Sequence, residues 1–292
     1  MLNRQKCLLH MIECAARPVS HFELTKWAFL LAREMPSRGG PAFYEFLPYQ
    51  YGPFSFCLYR EAGALARDGY LVGSQSGWQL VEDVPRPTAR LPQRVRRDAA
   101  RVVERFAERS RADLRDYVYG NFPWFTVNST VRRLATRPVG PPMVYTAGYR
   151  GWQVDGFLDM LMRAGIRRLV DVRNNPVARR YGFHKSSLAR LCGKVSIDYL
   201  HYPQLGIPSA QRRNLTCRAD HQALLAQYDR EILPCEGDAI RSVAELTREM
   251  PTVLVCAEPD PQQCHRSRLA KAIARITALP VHHLGGQHET GL

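Results

Sequence analysis

The spacing of apolar residues changes near the middle of the chain. In the first half, apolar side chains recur every three or four residues, the period of an amphipathic helix. The predicted helices cover residues 3–16, 20–34 and 54–68. A β-hairpin at residues 70–81 follows, with its turn at Gly73–Gly77. Three helices and then a hairpin predict a winged-helix-like domain over residues 1–137. The alternative is a small α+β domain that only binds another protein.

In the second half, short apolar runs alternate with helical patterns. The predicted strands cover residues 143–148, 166–172, 197–201, 252–257 and 281–284. Strands that alternate with helices indicate a mainly parallel sheet covered by helices on both faces. We therefore predict a Rossmann-like α/β domain over residues 142–292. The segment at 137–142, Arg-Pro-Val-Gly-Pro-Pro, suits a linker between the two domains.

Basic residues outnumber acidic residues in both halves of the chain. Among 292 residues there are 41 Lys and Arg against 27 Asp and Glu, a formal net charge of +14. Before residue 140 there are 21 basic and 13 acidic residues, and after it 20 and 14. A surplus on both sides indicates a polyanionic partner, and nucleic acid is the first candidate, with DNA favoured over RNA.

Composition narrows the class of protein further. Hydrophobic residues make up 45% of the chain and charged residues 23%, which is typical of globular proteins. The sequence lacks an apolar run long enough to span a membrane, and residues 1–7 lack the apolar core of a signal peptide. We therefore expect a cytoplasmic protein without a membrane partner, whose eight cysteines are reduced.

Arginines recur at helical spacing in the segment that follows the hairpin. Steps of 4, 3, 4 and 4 residues place them on one predicted helical face, next to an apolar face. These arginines are Arg90, Arg94, Arg97, Arg101 and Arg105. We predict that this face contacts nucleic-acid phosphates. The alternative is a solvated face whose charge is reduced by pairs with Glu104 and Glu108.

Polar residues fall at the predicted ends of the strands, where parallel sheets bind ligands. Asp171 ends the second strand, and Glu258 follows the fourth. We predict that these carboxylates face one cleft, as acid and base or as ligands of a divalent metal. Arg173 would hold Asp171 ionised and bind phosphate.

A second group of reactive residues follows the fourth strand. Cys264 and His265 open a predicted helix, whose N-terminal amides attract anions, and we include both among the catalytic candidates. Arg266 completes an anion clamp. Cys256 is included among the substrate-binding residues; it is either a nucleophile, if its thiolate is stabilised, or a small buried hydrophobe. Zinc bound by Cys256, Cys264, His265 and His283 is an alternative, but the Cys-x7-Cys-His spacing is not a standard ligand pattern. The sequence therefore assigns no metal and no cofactor.

Aromatic residues beside arginines complete the predicted substrate site. Tyr149 follows the first strand, and Tyr181 follows Arg179 and Arg180 in the loop after the second strand. Such residues suit stacking on a base while phosphates are held nearby. The alternative is a lid that packs on its own sheet.

Several of these segments resemble known families. Five segments resemble the bacterial "domain of unknown function 488" family over residues 143–284. They are Thr-Ala-Gly-Tyr at 146–149, Leu-Val-Asp-Val-Arg-Asn-Asn-Pro at 169–176, Tyr-Gly-Phe at 181–183, Tyr199 with Leu-Gly at 205–206, and the segment from Cys256 to Arg266. That resemblance supports the fold and the site but implies no reaction. Residues 24–31, Phe-Tyr at 43–44 with Tyr-Gly-Pro at 51–53, and residues 121–125 resemble the Panacea domain over residues 1–135. The second resemblance implies an antitoxin-type module that binds a partner protein.

Together these patterns predict a nucleic-acid-binding protein whose α/β domain acts on a nucleotide, a base or another phosphate-bearing substrate. Hydrolysis of an N-glycosidic or phosphoester bond is the preferred reaction class. A second hypothesis is a regulator without enzymatic activity, in which the α/β pocket binds a nucleotide. A third is a module that binds a toxin or another protein partner.

Overall fold

The computed structural model describes residues 1–82, 87–212 and 217–285. The chain forms two compact units, Met1–Thr136 and Arg137–Leu292. Each unit has its own buried apolar residues.

The N-terminal unit is mainly helical. Its helices are α1 (Asn3–Ala15), α2 (His21–Glu34), α3 (Phe56–Arg67), α4 (Gln93–Phe106) and α5 (Arg111–Asn121). Its strands are β1 (Val19–Ser20), β2 (Leu47–Tyr49), β3 (Gly52–Phe54), β4 (Leu71–Gly73) and β5 (Gly77–Leu80). Strand β5 lies between β1 and β4 in an antiparallel sheet, and β2 pairs with β3.

Local sequence signals account for the predicted helices of this unit. The Ser20 hydroxyl accepts a hydrogen bond from the Glu23 backbone N–H at 3.1 Å, and the Glu23 carboxylate accepts one from the Ser20 backbone N–H at 2.8 Å. This capping box fixes the start of α2. Gly69 follows α3 with a φ of +78°, a conformation that glycine adopts without a steric penalty. The fully buried Trp27 and Phe29 anchor α2 in the core.

The arginine face begins later than the sequence predicts. Arg90 lies in a separate 3₁₀ turn, Pro87–Arg90, and Pro92 directly precedes α4. Because a proline lacks the N–H for a helical hydrogen bond, it suits the start of a helix and not its interior. The prediction that Arg90 shares one helix with the later arginines is therefore wrong. Helix α5 and the short strand β1 were not predicted, since neither has a strong periodic pattern.

The C-terminal unit is a parallel sheet flanked by helices, so the predicted fold class is confirmed. Its strands are β6 (Val144–Gly148), β7 (Arg168–Asp171), β8 (Asp198–His201), β9 (Thr252–Cys256) and β10 (Val281–Leu284). Its helices are α6 (Val154–Arg163), α7 (Lys185–Lys194), α8 (Arg218–Gln227), α9 (Gly237–Glu249) and α10 (His265–Thr277). The strand order is β10-β6-β9-β7-β8, and each neighbouring pair is parallel.

The helices divide between the two faces of this sheet. Val170, Leu254 and Cys256 pack in one cluster with residues of α9 and α10. On the other face, Phe157 of α6 contacts Phe183, the residue two before the start of α7, with ring centroids 5.5 Å apart. Connections that run in opposite directions along a sheet place their helices on opposite faces, because crossovers are right-handed. Every helix in the described ranges is too short or too polar to cross a membrane.

Candidate functional site

The carboxyl ends of the strands bring the predicted residues to one edge of the sheet. Gly148 ends β6 and pairs with Cys256 at the end of β9. Asp171 ends β7 and pairs with Val255 on one side and His201 on the other. The predicted catalytic and binding residues therefore lie at the edge where parallel sheets bind ligands.

These residues divide between the two faces of the sheet. Asp171 and Val255 are register partners, so their side chains point to the same face. Successive side chains of a strand alternate, so Cys256 points to the other face. In agreement, Cys256 packs with Cys264 in the α9–α10 cluster, whereas the charge of Asp171 acts on Cys192 of α7. The candidate residues at this edge of the sheet thus form two clusters on opposite faces.

The first is the carboxylate cluster, formed by Asp171, Arg173 and Tyr199. Arg173 Nε and Nη2 donate to the Asp171 carboxylate at 2.7 and 2.5 Å, and the Arg173 backbone N–H donates at 3.1 Å. The Tyr199 hydroxyl donates to the same carboxylate at 2.7 Å. Asp171 is 0% exposed and Arg173 is 3% exposed. The carboxylate is therefore occupied by internal donors and shielded from solvent.

Electrostatics tie the carboxylate cluster together. Burial lowers the pKa of Arg173, but the hydrogen bonds and charge of Asp171 raise it above its ordinary value overall. Burial and the Asp171 carboxylate both raise the pKa of Tyr199, so its hydroxyl stays a donor. A buried ion pair with satisfied hydrogen bonds holds the β7 end in place. This arrangement suits a structural role better than proton transfer to a substrate.

The aromatic residues predicted to bind substrate pack around Arg173. The Tyr149 ring stacks on Phe183 at 4.4 Å, and the Arg173 guanidinium carbon lies 4.9 Å from the Tyr149 ring centroid. Arg173 Nη1 also donates to the Phe183 carbonyl at 2.8 Å. Tyr181 is half-buried in the turn just before Phe183. The loops after β6 and β7 therefore interlock through Tyr149, Arg173 and Phe183.

Glu258 has a different partner from Asp171. Its carboxylate accepts a hydrogen bond at 2.6 Å from Arg150, a residue whose side chain is 64% exposed. The Glu258 side chain is 30% exposed and so reaches solvent. The two carboxylates that the sequence placed in one cleft thus belong to separate networks. Glu258 is the more accessible of the two.

The second is the thiol–imidazole cluster, formed by Cys256, Cys264 and His265. One Sγ or ring nitrogen from each residue lies within 4.8 Å of the others, and Cys256 Sγ is 3.9 Å from His265 Nδ1. All three residues are less than 5% exposed. Cys256 ends β9, Cys264 is the N-cap of α10, and His265 is its first residue.

The two thiols of this cluster differ in acidity. Burial opposes ionisation of Cys264, but the hydrogen bond from Cys256 and the nearby His265 and Arg266 hold the pKa of Cys264 well below its ordinary value. The hydrogen bond to Cys264, together with burial, raises the pKa of the Cys256 thiol. Of the two thiols, the Cys264 thiol is thus the one whose pKa is lowered, as expected for a cysteine at a helix N-terminus.

Arg266 is bound within the protein. Its Nη2 donates to the Pro259 carbonyl at 2.8 Å, and its Nη1 donates to the Glu258 carbonyl. Arg266 is 1% exposed. Its main interaction is thus with the loop after β9, so the predicted anion clamp stays a prediction. His283, the fourth predicted zinc ligand, shares a 2.7 Å hydrogen bond with the Thr146 hydroxyl and lies outside the cluster.

The remaining predicted residues lie in the N-terminal unit. We use the term arginine stripe for four of the exposed arginines of α4, those at steps of three or four residues, which are Arg94, Arg97, Arg101 and Arg105. Arg105 pairs with Glu34 at 3.2 Å and donates to the Tyr117 hydroxyl at 2.9 Å. The neighbouring face of α4 buries Val95, Val102 and Phe106. The amphipathic pattern is as predicted, and phosphate contact stays a prediction.

Tyr199 and Arg150 complete the two carboxylate networks. Tyr199 lies in one of the segments that carry the family resemblance but was assigned no role from the sequence, and Arg150 was not among the predicted residues. Tyr199 pairs with Leu169 across β7 and β8, which places it on the same face as Asp171. The two-residue alternation could have pointed to Tyr199 only if the strand register had been known. Arg150 offers no comparable signal, since it lies in a loop.

Comparison with known families bears on the C-terminal unit. Residues 153–273 match a family model. Its description is domain of unknown function DUF488. The match includes the segments that end in Asp171 and Arg266, and it starts after the predicted motif at 146–149. No curated protein and no solved structure matches the chain. The DUF488 match supports the predicted resemblance of the C-terminal half and assigns no reaction.

Proposed function

We propose that the protein binds nucleic acid through its N-terminal unit, with the arginine stripe in contact with backbone phosphates. The observation that carries this proposal is the exposure of all four arginines on one side of α4. Arg105 is held by Glu34 and Tyr117. Arg94 Nη2 donates to the Pro36 carbonyl at 3.3 Å, a contact that does not neutralise its charge, so we take Arg94, Arg97 and Arg101 as the main phosphate ligands. Guanidinium groups bind phosphate oxygens in a bidentate manner.

The element order supports a winged-helix-like mode of binding. Strand β1 lies between α1 and α2 and pairs with β5 of the β4–β5 hairpin. Helix α3 directly precedes the hairpin and exposes Arg60 and Arg67. In winged-helix proteins a helix in this position enters the major groove. We therefore favour duplex DNA over RNA, whose major groove is deep and narrow.

Fluorescence anisotropy with a short labelled duplex tests the proposal. Replacing Arg94, Arg97 and Arg101 with Gln should weaken binding on the order of a hundredfold at about 0.1 M salt, from three phosphate contacts. Gln keeps the helix propensity of Arg, so α4 should stay folded.

A matched control removes the same charge from the C-terminal unit. This variant replaces the exposed Arg241, Arg248 and Arg275 with Gln. It should bind close to the wild-type affinity. If both variants lost DNA affinity equally, the loss would come from the overall charge and not from the arginine stripe, which would contradict the proposal. A single-stranded RNA of equal length should bind more weakly than the duplex.

Bond cleavage by the C-terminal unit is a separate proposal. Glu258 supports it, since this carboxylate reaches solvent at the edge of the sheet. Glu258→Ala should abolish hydrolysis of a nucleotide or nucleic-acid substrate and leave DNA affinity unchanged. Unaltered turnover would remove Glu258 from the mechanism.

Protein binding by the N-terminal unit, implied by the Panacea-type resemblance, also stays a prediction. Co-purification of a stoichiometric protein partner would support it. A DNA-binding regulator without enzymatic activity would instead protect a discrete DNA site and consume no substrate.

A further inference from the structure

Two cysteines and a histidine converge beneath the edge of the C-terminal sheet. Within the described ranges, Cys256, Cys264 and His265 are the group whose donor atoms all lie within 4.8 Å of one another. In a tetrahedral zinc site, with Zn–S of about 2.3 Å and Zn–N of about 2.0 Å, neighbouring donor atoms are about 3.5–3.8 Å apart. The 3.9 Å between Cys256 Sγ and His265 Nδ1 is close to that separation.

The imidazole is oriented for metal binding. His265 Nε2 lies 3.1 Å from the Val172 carbonyl oxygen, which can only accept a hydrogen bond. Nε2 therefore carries the proton, and the lone pair of Nδ1 faces the thiols. A backbone acceptor that fixes the second ring nitrogen is a regular feature of metal-bound histidines.

The loop that joins the two cysteines is held in place. Arg266 donates to the carbonyl oxygens of Glu258 and Pro259. The Asp260 carboxylate accepts from the Gln262 backbone N–H at 2.8 Å. These bonds fix the path between the ligands in advance, so little conformational entropy is lost when a metal binds.

Charge and donor type select the ion. The three side chains are less than 5% exposed, and a buried charge must be neutralised. Two thiolates cancel the charge of a divalent cation. Sulfur donors favour Zn²⁺ over Mg²⁺ and Ca²⁺. We propose that Cys256, Cys264 and His265 bind one Zn²⁺ ion through two sulfurs and one ring nitrogen. Three protein ligands leave the fourth position for water or a substrate atom, as in catalytic zinc sites.

Cobalt titration of the full-length, reduced and chelator-stripped protein tests this proposal. Co²⁺ should produce the visible absorption of a tetrahedral ion together with a thiolate-to-cobalt charge-transfer band, saturating at one ion per chain. Equimolar Zn²⁺ should abolish both bands, and excess Mg²⁺ should leave them unchanged. The readout needs no turnover, so failure of the proposed hydrolase activity would not affect it.

Cysteine variants assign the ligands. Cys264→Ser should remove most of the charge-transfer band, whereas replacing the exposed Cys217 and Cys235 with Ser should leave it unchanged. If Cys264→Ser does not fold, the wild-type spectrum still shows whether the ion is bound by sulfur, because an ion on exposed oxygen or nitrogen atoms gives no thiolate band. The proposal would be overturned if the wild-type protein gave no charge-transfer band, or if the band were lost when Cys217 and Cys235 are replaced.

Discussion

Asp171→Asn removes the negative charge from the carboxylate cluster while preserving the size of the side chain. In the wild-type protein this carboxylate accepts four hydrogen bonds, three from Arg173 and one from Tyr199. The amide has a single acceptor oxygen and turns an N–H₂ group toward a guanidinium that can only donate. Arg173 would be left as an unpaired charge at 3% exposure.

The expected decrease in the free energy of unfolding is large for a single substitution. Removing one partner of a buried ion pair costs about 3–5 kcal/mol. A domain of this kind is stable by about 5–15 kcal/mol in total, so the C-terminal unit should be markedly weakened. Urea titration followed by hydrogen-exchange mass spectrometry measures the loss in peptides that cover β7 and β9, separately from the N-terminal unit.

Two further variants test the physical reason. Asp238→Asn removes a carboxylate that is 97% exposed and pairs with Arg241, and it should leave the free energy of unfolding unchanged. Adding Arg173→Met to Asp171→Asn should recover part of the lost stability, because the buried charge is then gone. Wild-type stability in Asp171→Asn, combined with lost turnover, would refute the structural role and restore the catalytic one.

Two other sites give testable expectations. Lys26 is buried and donates to the Pro53 carbonyl, and burial lowers its pKa from 10.5 to about 7. Unfolding therefore takes up a proton between pH 7 and 10.5, so the free energy of unfolding should rise with pH across that window, by at most about 5 kcal/mol. Lys26→Met should abolish this rise in urea titrations at several pH values. Gly148→Ala would place a Cβ 1.9 Å from the Glu258 carbonyl oxygen. The free energy of unfolding, measured by thermal unfolding, should therefore fall by about 1–3 kcal/mol.

The expectations for Lys26 and Gly148 can each be contradicted by experiment. A pH profile that keeps its slope in Lys26→Met would assign the proton uptake to other groups. For Gly148, the control is Gly193→Ala in α7, where an added Cβ meets no atom within 4 Å. This control should be neutral or slightly stabilising. Equal behaviour of the two glycine variants would contradict the close approach of the Glu258 backbone.

The elements with strong local signals could be predicted from the sequence. Ser20 with Glu23 marks the start of α2, and Gly69 marks the end of α3. The alternation of apolar runs with helical patterns predicts the five parallel strands, because strands covered on both faces need continuous apolar sequence. Arg90 was wrongly assigned to the helix, because the helical spacing of the arginines does not take account of Pro92, before which α4 cannot begin.

The composition of the candidate site could be predicted only in part. Strand ends identify Asp171 and Cys256 as neighbours at one edge of the sheet, which the structure bears out. Their opposite orientation depends on strand register, since a shift of one residue reverses the face. The pair of Asp171 with Arg173 could be predicted, because the two residues are only two positions apart. The partners of Glu258 and Arg266 come from loops whose paths are set by tertiary contacts, and no local pattern encodes them.

The salt dependence of DNA binding tests the central claim most directly. The logarithm of the association constant should fall linearly with the logarithm of salt concentration, since bound phosphates release counterions. With Arg94, Arg97 and Arg101 replaced by Gln, the slope should be less steep than in the wild-type protein by about 3, at about 0.9 for each phosphate contact. An unchanged slope in that variant would show that the arginine stripe does not contact the nucleic-acid backbone.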